Sequence, residues 1–238
     1  YAGPRLRVME VCGTHTAAIA RAGLRSLLPE TIRLVSGPGC PVCVTAPGFI
    51  DALCELALRP GHRVFAFGDM LRVPGSALSL SAAKAEGGRV AMFQGPADIL
   101  AHATAHPEET CVVAAVGFET TAPVYAVLLR EAERLNLQNI RLVTALKTMI
   151  EPLRFLAAQE HGIDAFLCPG HVSVLTGSDA FAPLAEEFQK PFVIAGFEPD
   201  AIVSALAAIL EQIEKKAPRM ENLYPRAVTR SGNALARA

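Results

Sequence analysis

The residues best suited to chemistry in this chain are cysteines that stand close to glycine, proline or histidine. Cys12 lies in the stretch Glu10-Val-Cys-Gly-Thr-His-Thr16, with His15 three residues further on. We predict a strand followed by a helix here, and a helix N-terminus favours the thiolate, the form that binds metals or attacks electrophiles. An ordinary helix start, with Thr14 or Thr16 as N-cap and His15 on the surface, explains the stretch equally well. By itself this motif leaves both interpretations open.

A second motif, Cys40-Pro-Val-Cys43, follows the glycine-rich run Ser36-Gly-Pro-Gly39. The two sulfurs of a C-x-x-C can form a small-loop disulfide or chelate a soft metal. No second C-x-x-C follows at zinc-ribbon spacing, which excludes a closed four-cysteine zinc site built from this motif. The pattern predicts a redox-active pair or partial ligation of a metal.

The other three cysteines are expected to serve as small buried side chains, because Cys54, Cys111 and Cys168 lie in apolar or amphipathic patterns. Neither end of the chain has the pattern of a signal peptide. We therefore expect a reducing, cytoplasmic environment and no disulfide framework.

Two further turns carry polar side chains after apolar runs. In Gly117-Phe-Glu-Thr-Thr-Ala-Pro123, Thr120 or Thr121 can cap a helix, and both are candidates to contact a cofactor, as is Thr14. Capping does not require Glu119, which we consider a candidate proton acceptor or a carboxylate that supports a metal ligand. His171 follows Pro169-Gly170 and is a candidate catalytic residue of a cleft, although a lone histidine is more often structural.

The elements that would position these residues alternate between short apolar runs and amphipathic patterns. The predicted strands are Leu6–Val11, Ile32–Ser36, Val64–Phe67, Val90–Phe93, Val112–Val116, Ile140–Ala145, Ala165–Leu167 and Phe192–Ala195. The predicted helices are Thr16–Leu28, Phe49–Leu58, Ser79–Glu86, Ala97–Ala105, Ala122–Leu135, Glu151–His161 and Asp200–Lys216. Strands that alternate with helices indicate βαβ units and a mostly parallel sheet.

The alternation starts again midway, which predicts an α/β protein with two similar Rossmann-like α/β/α domains. We expect an N-terminal domain over residues 1–108, a second domain over 109–222 and the start of a linker over 223–238. The first domain would carry Cys12, Cys40 and Cys43. Ligands of open parallel sheets bind beyond the carboxyl ends of the strands, so the loops after the strands should line a central cleft.

Composition excludes several classes of protein. The chain has 238 residues, of which 51% are hydrophobic, and 22 basic residues face 23 acidic ones. Such a balance without a basic run argues against a nucleic-acid surface or a polybasic membrane anchor. No apolar stretch reaches the ~18–20 residues of a membrane-spanning helix. The high apolar content also argues against disorder, which leaves a soluble globular protein.

Taken together, the motifs resemble one family, the hydrogenase maturation factor HypD. The matching stretches occur in the family's order along nearly the whole chain. They are Met9-Glu-Val-Cys-Gly-Thr-His-Thr16, Ser36-Gly-Pro-Gly-Cys-Pro-Val-Cys-Val44, Gly68-Asp-Met-Leu-Arg-Val-Pro-Gly75, Gly117-Phe-Glu-Thr-Thr-Ala-Pro123, Pro169-Gly-His-Val-Ser173, Gly196-Phe-Glu-Pro199, Asn222-Leu-Tyr-Pro-Arg-Ala-Val228 and Gly232-Asn233.

This resemblance implies a scaffold for the iron centre of nickel–iron hydrogenases rather than a conventional turnover enzyme. With a small HypC-like chaperone the scaffold would bind iron and assemble an Fe(CN)2CO group, and a HypE-like protein would transiently supply the cyanide. By position, the resemblance assigns Cys12 as the thiolate that holds the iron and His15 as a metal-ligand candidate. It assigns Cys40 and Cys43 as a redox pair.

One part of the family pattern is missing from this sequence. Relatives in the family carry a C-terminal region with four more cysteines that hold a 4Fe-4S cluster, whereas this chain stops near Gly232-Asn233. We therefore expect either a piece of a longer protein or a shortened relative whose redox role is in doubt. Two other functions compete with the scaffold. The Cys40/Cys43 pair alone permits a thiol–disulfide oxidoreductase. Fold analogy alone suggests a nucleotide-binding domain, but this sequence contains no phosphate-loop motif.

Overall fold

The computed structural model describes residue 1 and residues 3–159 and 162–237. Within them, nine strands alternate with helices. The strands are β1 Leu6–Glu10, β2 Ile32–Ser36, β3 His62–Ala66, β4 Val90–Met92, β5 Thr110–Gly117, β6 Ile140–Leu146, β7 Ala165–Cys168, β8 Phe192–Ile194 and β9 Met220–Asn222.

The helices fill the intervals between strands. They are α1 Gly13–Arg21, α2 Leu24–Leu27, α3 Pro47–Leu58, α4 Leu80–Ala85, α5 Pro96–Ala105, α6 Ala122–Arg134, α7 Ile150–Ala157, α8 Gly170–Thr176, α9 Ala182–Phe188, α10 Pro199–Glu214 and α11 Ala234–Arg237. Two 3-10 turns, Gly68–Arg72 and Ser178–Ala180, accompany them. None of the helices in the described part of the chain combines the length and the apolar character that crossing a membrane requires.

The strands form two parallel sheets, which confirms the predicted α/β fold. One sheet has five strands in the order β2-β1-β7-β8-β9, and the other has four in the order β4-β3-β5-β6. β9 was not predicted, because its three half-buried residues, Met-Glu-Asn, carry no apolar run. The predicted helix after Thr16 starts earlier, at Gly13, and is divided in two because Gly23 adopts a left-handed conformation with φ +62°. The predicted end of the helix from Glu151, His161, lies outside the described residues.

The chain divides into two compact units, and the division differs from the expected domains 1–108 and 109–222. The first unit comprises Tyr1–Cys40 and Thr148–Ala238, and the second comprises Pro41–Lys147. Strand pairing gives the reason. β1 hydrogen-bonds to β7, which follows it by more than 150 residues, so the first two strands join the sheet of the last three. Residues 223–238 were expected to begin a linker, but Val228 is buried and the Asn222 side chain binds its carbonyl at 2.8 Å.

The residues expected to separate the domains, 106–110, lie inside the second unit. Glu109 is buried there and accepts hydrogen bonds from Arg63 Nε at 2.9 Å, Arg89 Nη1 at 2.8 Å and His102 Nε2 at 3.0 Å. These bonds, led by that of Arg63, lower the pKa of Glu109 to about 2. A polar interruption in the sequence is therefore an ion-paired turn at the start of β5.

Each sheet is packed by helices that bury their apolar faces. In the first unit α1 and α10 cover one face, where Ile19 and Ile202 meet strand residues such as Val8. In the second unit α3 and α4 cover one face and α5 and α6 the other, so β5 is buried along nearly its whole length. Burial on both faces is typical of a central parallel strand. These packed layers fix the carboxyl ends of the strands, where the candidate residues lie.

Candidate functional site

The carboxyl edge of the five-stranded sheet collects most of the candidate residues. Because all five strands are parallel, the turn at Cys12, the loop 37–40, the turn at 169–171 and the turn at 195–198 all leave the sheet at the same edge. We call Cys12, His15, His171 and Phe197 the thiol site. All four belong to the first unit.

Cys12 is the N-cap residue of α1, which places its thiol at the start of a helix. Its backbone is extended, with φ −135° and ψ 125°, and its side chain makes no capping bond. The side chain is 8% exposed, and Sγ lies 3.7 Å from Nδ1 of His171. The alternative in which Thr14 or Thr16 caps the helix and His15 lies on the surface is wrong. Thr14 instead lies in the first turn of α1 and is half-buried.

The loop that carries Cys40 rests directly on the backbone of Cys12. The carbonyl of Gly39 accepts the N–H of Gly13 at 3.4 Å. A Cβ at Gly39 would lie 2.8 Å from Cα of Cys12, which no real Cβ tolerates, so this close approach requires glycine. The residue before Cys40 therefore contacts the backbone of the turn that carries Cys12.

The six cysteines differ in oxidation state. Cys40 and Cys43 are disulfide-bonded, whereas Cys12 and the other three are free thiols. The structure confirms that Cys54, Cys111 and Cys168 are buried. Burial raises the pKa of the Cys111 thiol to about 11 and also raises the pKa values of Cys54 and Cys168. These three stay protonated and inert, and Cys12 is the free thiol next to an imidazole.

His15 is fully buried, and its ring is oriented by one hydrogen bond. Nε2 donates to the carbonyl of Gly196 at 2.9 Å, so the lone pair of the neutral ring is on Nδ1. Nδ1 is buried and has no hydrogen-bond partner among the described residues. Burial lowers the pKa of His15 and outweighs the opposing effect of the Gly196 and Ala195 carbonyls. A neutral imidazole with an unused lone pair is the form that can bind a metal.

The ring of Phe197 contacts both histidines, and the types and spacing of the polar residues did not predict a role for it. Its ring centroid lies 4.7 Å from that of His15 and 4.3 Å from that of His171, the latter pair stacked with 30° between planes. Only the family-like stretch Gly196-Phe-Glu-Pro199 marked it in the sequence. An aromatic residue in a turn carries no recognisable chemical signal without its neighbours.

Glu10 is a second missed residue, although it closes the strand that leads to Cys12. Its carboxylate is 1% exposed and accepts hydrogen bonds from Ser36 Oγ at 2.7 Å, Arg25 Nη2 at 2.9 Å and Thr16 Oγ1 at 3.1 Å. Burial raises the pKa of Glu10, and these hydrogen bonds oppose the rise. A charged residue at the end of an apolar strand is the signal that could have identified it.

The remaining predicted residues belong to the second unit. Glu119, Thr120 and Thr121 follow the carboxyl end of β5, and Thr121 is the N-cap residue of α6 but makes no side-chain capping bond. Gly117 is needed there because a Cβ would lie 2.4 Å from Cβ of Thr121. These three residues thus form a second polar turn, at the carboxyl edge of the four-stranded sheet.

The described residues do not form a complete metal site by themselves. Among the described residues, no three histidine, cysteine, aspartate or glutamate side chains converge as a metal site. A 4Fe-4S cluster needs four thiolates. The free cysteines do not fit one, because Cys54, Cys111 and Cys168 are buried core residues and burial raises the pKa of each of these thiols. The Cys12 thiol and the lone pairs of the neighbouring imidazoles can hold an ion only with further ligands from elsewhere.

Comparison with known proteins gives consistent matches along the chain. A family model named HypD and described as "Hydrogenase formation hypA family" matches residues 2–238. Hydrogenase maturation factor HypD of Escherichia coli (strain K12) is 44% identical over 232 residues, covering 97% of this chain and 62% of that protein.

Two relatives from Azotobacter are similar to the same extent. Hydrogenase maturation factor HypD of Azotobacter vinelandii is 43% identical over 239 residues, and the hydrogenase expression/formation protein HupD of Azotobacter chroococcum mcd 1 is 42% identical over 239 residues. Each alignment covers 98% of this chain and 63% of the relative. The chain therefore spans somewhat less than two thirds of the length of the curated relatives that it matches.

Proposed function

Because this chain belongs to the HypD family, we propose that it serves in hydrogenase maturation as a scaffold that binds iron through the thiolate of Cys12. The observation that carries this proposal is the free thiol of Cys12, placed at a helix start with Nδ1 of His171 3.7 Å away. Helix N-termini and nearby imidazoles both favour thiolates. The relatives' names, which refer to hydrogenase maturation, support the same role.

The ligand chemistry suits an iron ion that is carried as cargo. Thiolate is a soft ligand and stabilises the low-valent iron that cyanide and carbon monoxide require. His15, with a buried and unused lone pair on Nδ1, is the second ligand that we propose. Few ligands from this chain leave positions open for the diatomic ligands and for a partner.

The proposed partners are those that the family resemblance implies, and an incomplete ligand set agrees with them. We propose that a small HypC-like chaperone completes the iron site and that a HypE-like protein brings the cyanide. Fe(CN)2CO would be the assembled product. Because the ion would be held jointly, separation of the two proteins would release it for delivery to the hydrogenase.

We assign the electrons for cyanide transfer to Cys40 and Cys43. Release of cyanide from a sulfur-bound thiocyanate breaks the S–C bond and consumes two electrons, leaving a thiolate. A dithiol that closes to a disulfide supplies two electrons and releases two protons. The disulfide seen in this structure is the oxidised form of the pair, and a reductant must reopen it before each transfer.

We propose roles for five other residues. His171 would stabilise the Cys12 thiolate. Glu119, in the second unit, would act as a proton acceptor. Thr14, Thr120 and Thr121 would offer hydroxyl groups to a bound group. Replacement of Glu119 by Gln keeps its size and removes its charge. Unchanged hydrogenase maturation in that variant would remove Glu119 from the mechanism.

Iron content tests the central proposal. The protein is purified without oxygen together with its small chaperone, and iron per complex is measured for the wild type, Cys12→Ala and the control Cys54→Ala. Cys54 is a free buried thiol in the second unit. Cys54→Ala therefore makes the same substitution as Cys12→Ala but at a residue outside the thiol site. We expect iron to disappear only in Cys12→Ala, with the chaperone still bound. Full iron in Cys12→Ala would overturn the assignment.

A further inference from the structure

The thiol site contains an aromatic ring that neither the motif chemistry nor the proposed iron chemistry uses. We infer that Phe197 is a positioning residue, whose ring holds the imidazoles of His15 and His171 in fixed places around Cys12. The inference deepens the proposed function and rests on the role of Cys12 as the iron thiolate.

The first support is that one ring contacts both imidazoles. His171 stacks on Phe197 at 4.3 Å with 30° between planes, and His15 meets it at 4.7 Å with 39° between planes. Offset and tilted arrangements at these separations are the favourable ones for aromatic pairs. His171 is exposed, and its ring stacks on Phe197 and places Nδ1 3.7 Å from Sγ of Cys12.

The second support is that the backbone makes room for the ring. A Cβ at Gly170 would lie 2.8 Å from Cζ of Phe197 and 3.1 Å from the carbonyl of Ala195. A Cβ at position 170 would therefore displace the Phe197 ring from the turn that carries His171. The turn that carries Phe197 also supplies the Gly196 carbonyl, which accepts Nε2–H of His15. Both histidines are thus oriented from a single turn after β8.

The consequence concerns the reactivity of the thiol. The imidazole of His171, 3.7 Å from the sulfur, can accept the thiol proton as the sulfur attacks an electrophile, and a base held in this position speeds the attack. If Phe197 keeps His171 in place, loss of the ring should slow the reaction of Cys12 with an electrophile. If Phe197 only covers the sulfur, loss of the ring should speed that reaction.

The experiment is a double-mutant cycle on the reduced full chain. Carbamidomethylation of Cys12 by iodoacetamide is followed by mass spectrometry at one pH for the wild type, Phe197→Leu, His171→Ala and the double variant. We expect Phe197→Leu to react about threefold to tenfold more slowly, the fold-change that corresponds to the energy of an aromatic pair, and His171→Ala to react at least as slowly. We expect the double variant to be no slower than His171→Ala, because Phe197 acts through His171. Unchanged, faster or additive rates would overturn the inference.

Two further variants separate positioning from general stability. Gly170→Ala displaces the ring but keeps it, and we expect it to slow the reaction like Phe197→Leu. The matched control is Phe166→Leu, which breaks the buried Phe166–Phe192 stack of the same unit at 4.6 Å without touching a histidine. Phe166 is fully buried and Phe197 is half-buried, so the control should lose more stability yet keep the wild-type rate. A slower rate in the control would contradict the inference.

A spectroscopic readout checks the stacking itself. Loss of the Phe197 ring should shift the carbon-bound imidazole protons of two of the six histidines and leave the other four in place. Shifts in none of them would contradict the inference.

The double-mutant cycle measures thiol reactivity in the absence of iron. A wild type that binds no iron would therefore defeat the proposed function alone, whereas unchanged rates in an iron-binding protein would defeat this inference alone.

Discussion

At the scale of single residues, the carboxylate of Glu10 connects the turn of Cys12 with the loop before Cys40. It accepts hydrogen bonds from Thr16 on α1, Arg25 on α2 and Ser36 at the end of β2. The Ser36 bond matters most for the thiol site, because the loop 37–40 starts at the next residue. Glu10, the last residue of β1, therefore combines a charge, burial and three hydrogen bonds next to the turn that carries Cys12.

Replacement of Glu10 by Ala leaves these three donors without their acceptor. We expect the free energy of unfolding to fall by about 1–3 kcal/mol, the cost of unsatisfied buried polar groups. Glu10→Gln should lose less, because its one amide oxygen can still accept from Ser36 and Arg25, which both bond Oε1, and only the Thr16 bond at Oε2 loses its acceptor. Urea unfolding measures both, with the exposed Glu55→Gln as a control that should stay near the wild type. Wild-type stability in Glu10→Ala would show that the network contributes nothing.

Gly39 gives a second prediction at this scale. A Cβ there would meet the backbone of Cys12, which cannot move away as a flexible side chain could. We expect Gly39→Ala to lower the free energy of unfolding by about 1–3 kcal/mol, the usual cost of overpacking. The control is Gly48→Ala in α3, where a Cβ meets nothing within 4 Å and alanine favours the helix. Equal stability of the two variants in urea unfolding would contradict the close contact.

The sequence predicted some of these residues better than others. Cys12 and His15 could be proposed from a thiol and an imidazole three residues apart, and their roles stay predictions. Phe197 and Glu10 could not, because their importance depends on partners such as His171, 26 residues away, and Ser36, which local patterns do not reveal. The free lone pair of His15 likewise depends on a carbonyl 181 residues further along the chain.

At the scale of elements, periodicity located eight of the nine strands, because buried parallel strands are continuous apolar runs. Helix boundaries were less accurate. α1 begins at Gly13 because Cys12, rather than a threonine, occupies the N-cap position. A cysteine has no established capping preference, so the sequence favoured the neighbouring threonines.

The turn before β5 gives the prediction that belongs to this scale. The pKa of Glu109 is lowered to about 2, below the ordinary 4.5, chiefly by its bond from Arg63. A lowered carboxyl pKa contributes stability above the unfolded value, and this stability is lost as the pH falls from about 4.5 towards 2. We expect Glu109→Gln to be on the order of 1–2 kcal/mol less stable at neutral pH.

The measurement for Glu109 is urea unfolding at several pH values between neutral and acidic. The gap between the wild type and Glu109→Gln should narrow as the pH falls from about 4.5 towards 2, because this carboxyl is then protonated in the unfolded chain while it is still charged in the folded protein. A gap that is constant with pH would mean that Glu109 acts through its shape alone.

At the scale of the whole molecule, the sequence predicted the class of fold but not the way the chain is shared between units. Every predicted strand lies in a parallel sheet, yet β1 pairs with β7 from the last third of the chain, and β2 joins the same sheet through β1. Hydrophobic periodicity reports burial along one segment and contains nothing about which strands become neighbours. For this reason a boundary near 108 followed from the sequence, and boundaries at 40 and 148 did not.

The division predicts which fragment folds alone. The second unit is one continuous segment, 41–147, and all pairings of its four strands and both of its cores lie within it. We expect this fragment to unfold cooperatively, as followed by circular dichroism in urea. A fragment of residues 109–222 should not, because it lacks β1, β2, β3 and β4 from the two sheets. The reverse result would contradict the division.

The most direct measurement of the central claim is infrared spectroscopy of the oxygen-free complex with the small chaperone. Carbon monoxide and cyanide bound to iron absorb in a window that is free of protein bands. If the thiolate of Cys12 holds the iron, the wild-type complex shows both sets of bands, and Cys12→Ala shows neither while the chaperone stays bound. Unchanged bands in Cys12→Ala would contradict the account, because the iron would then be held by another residue.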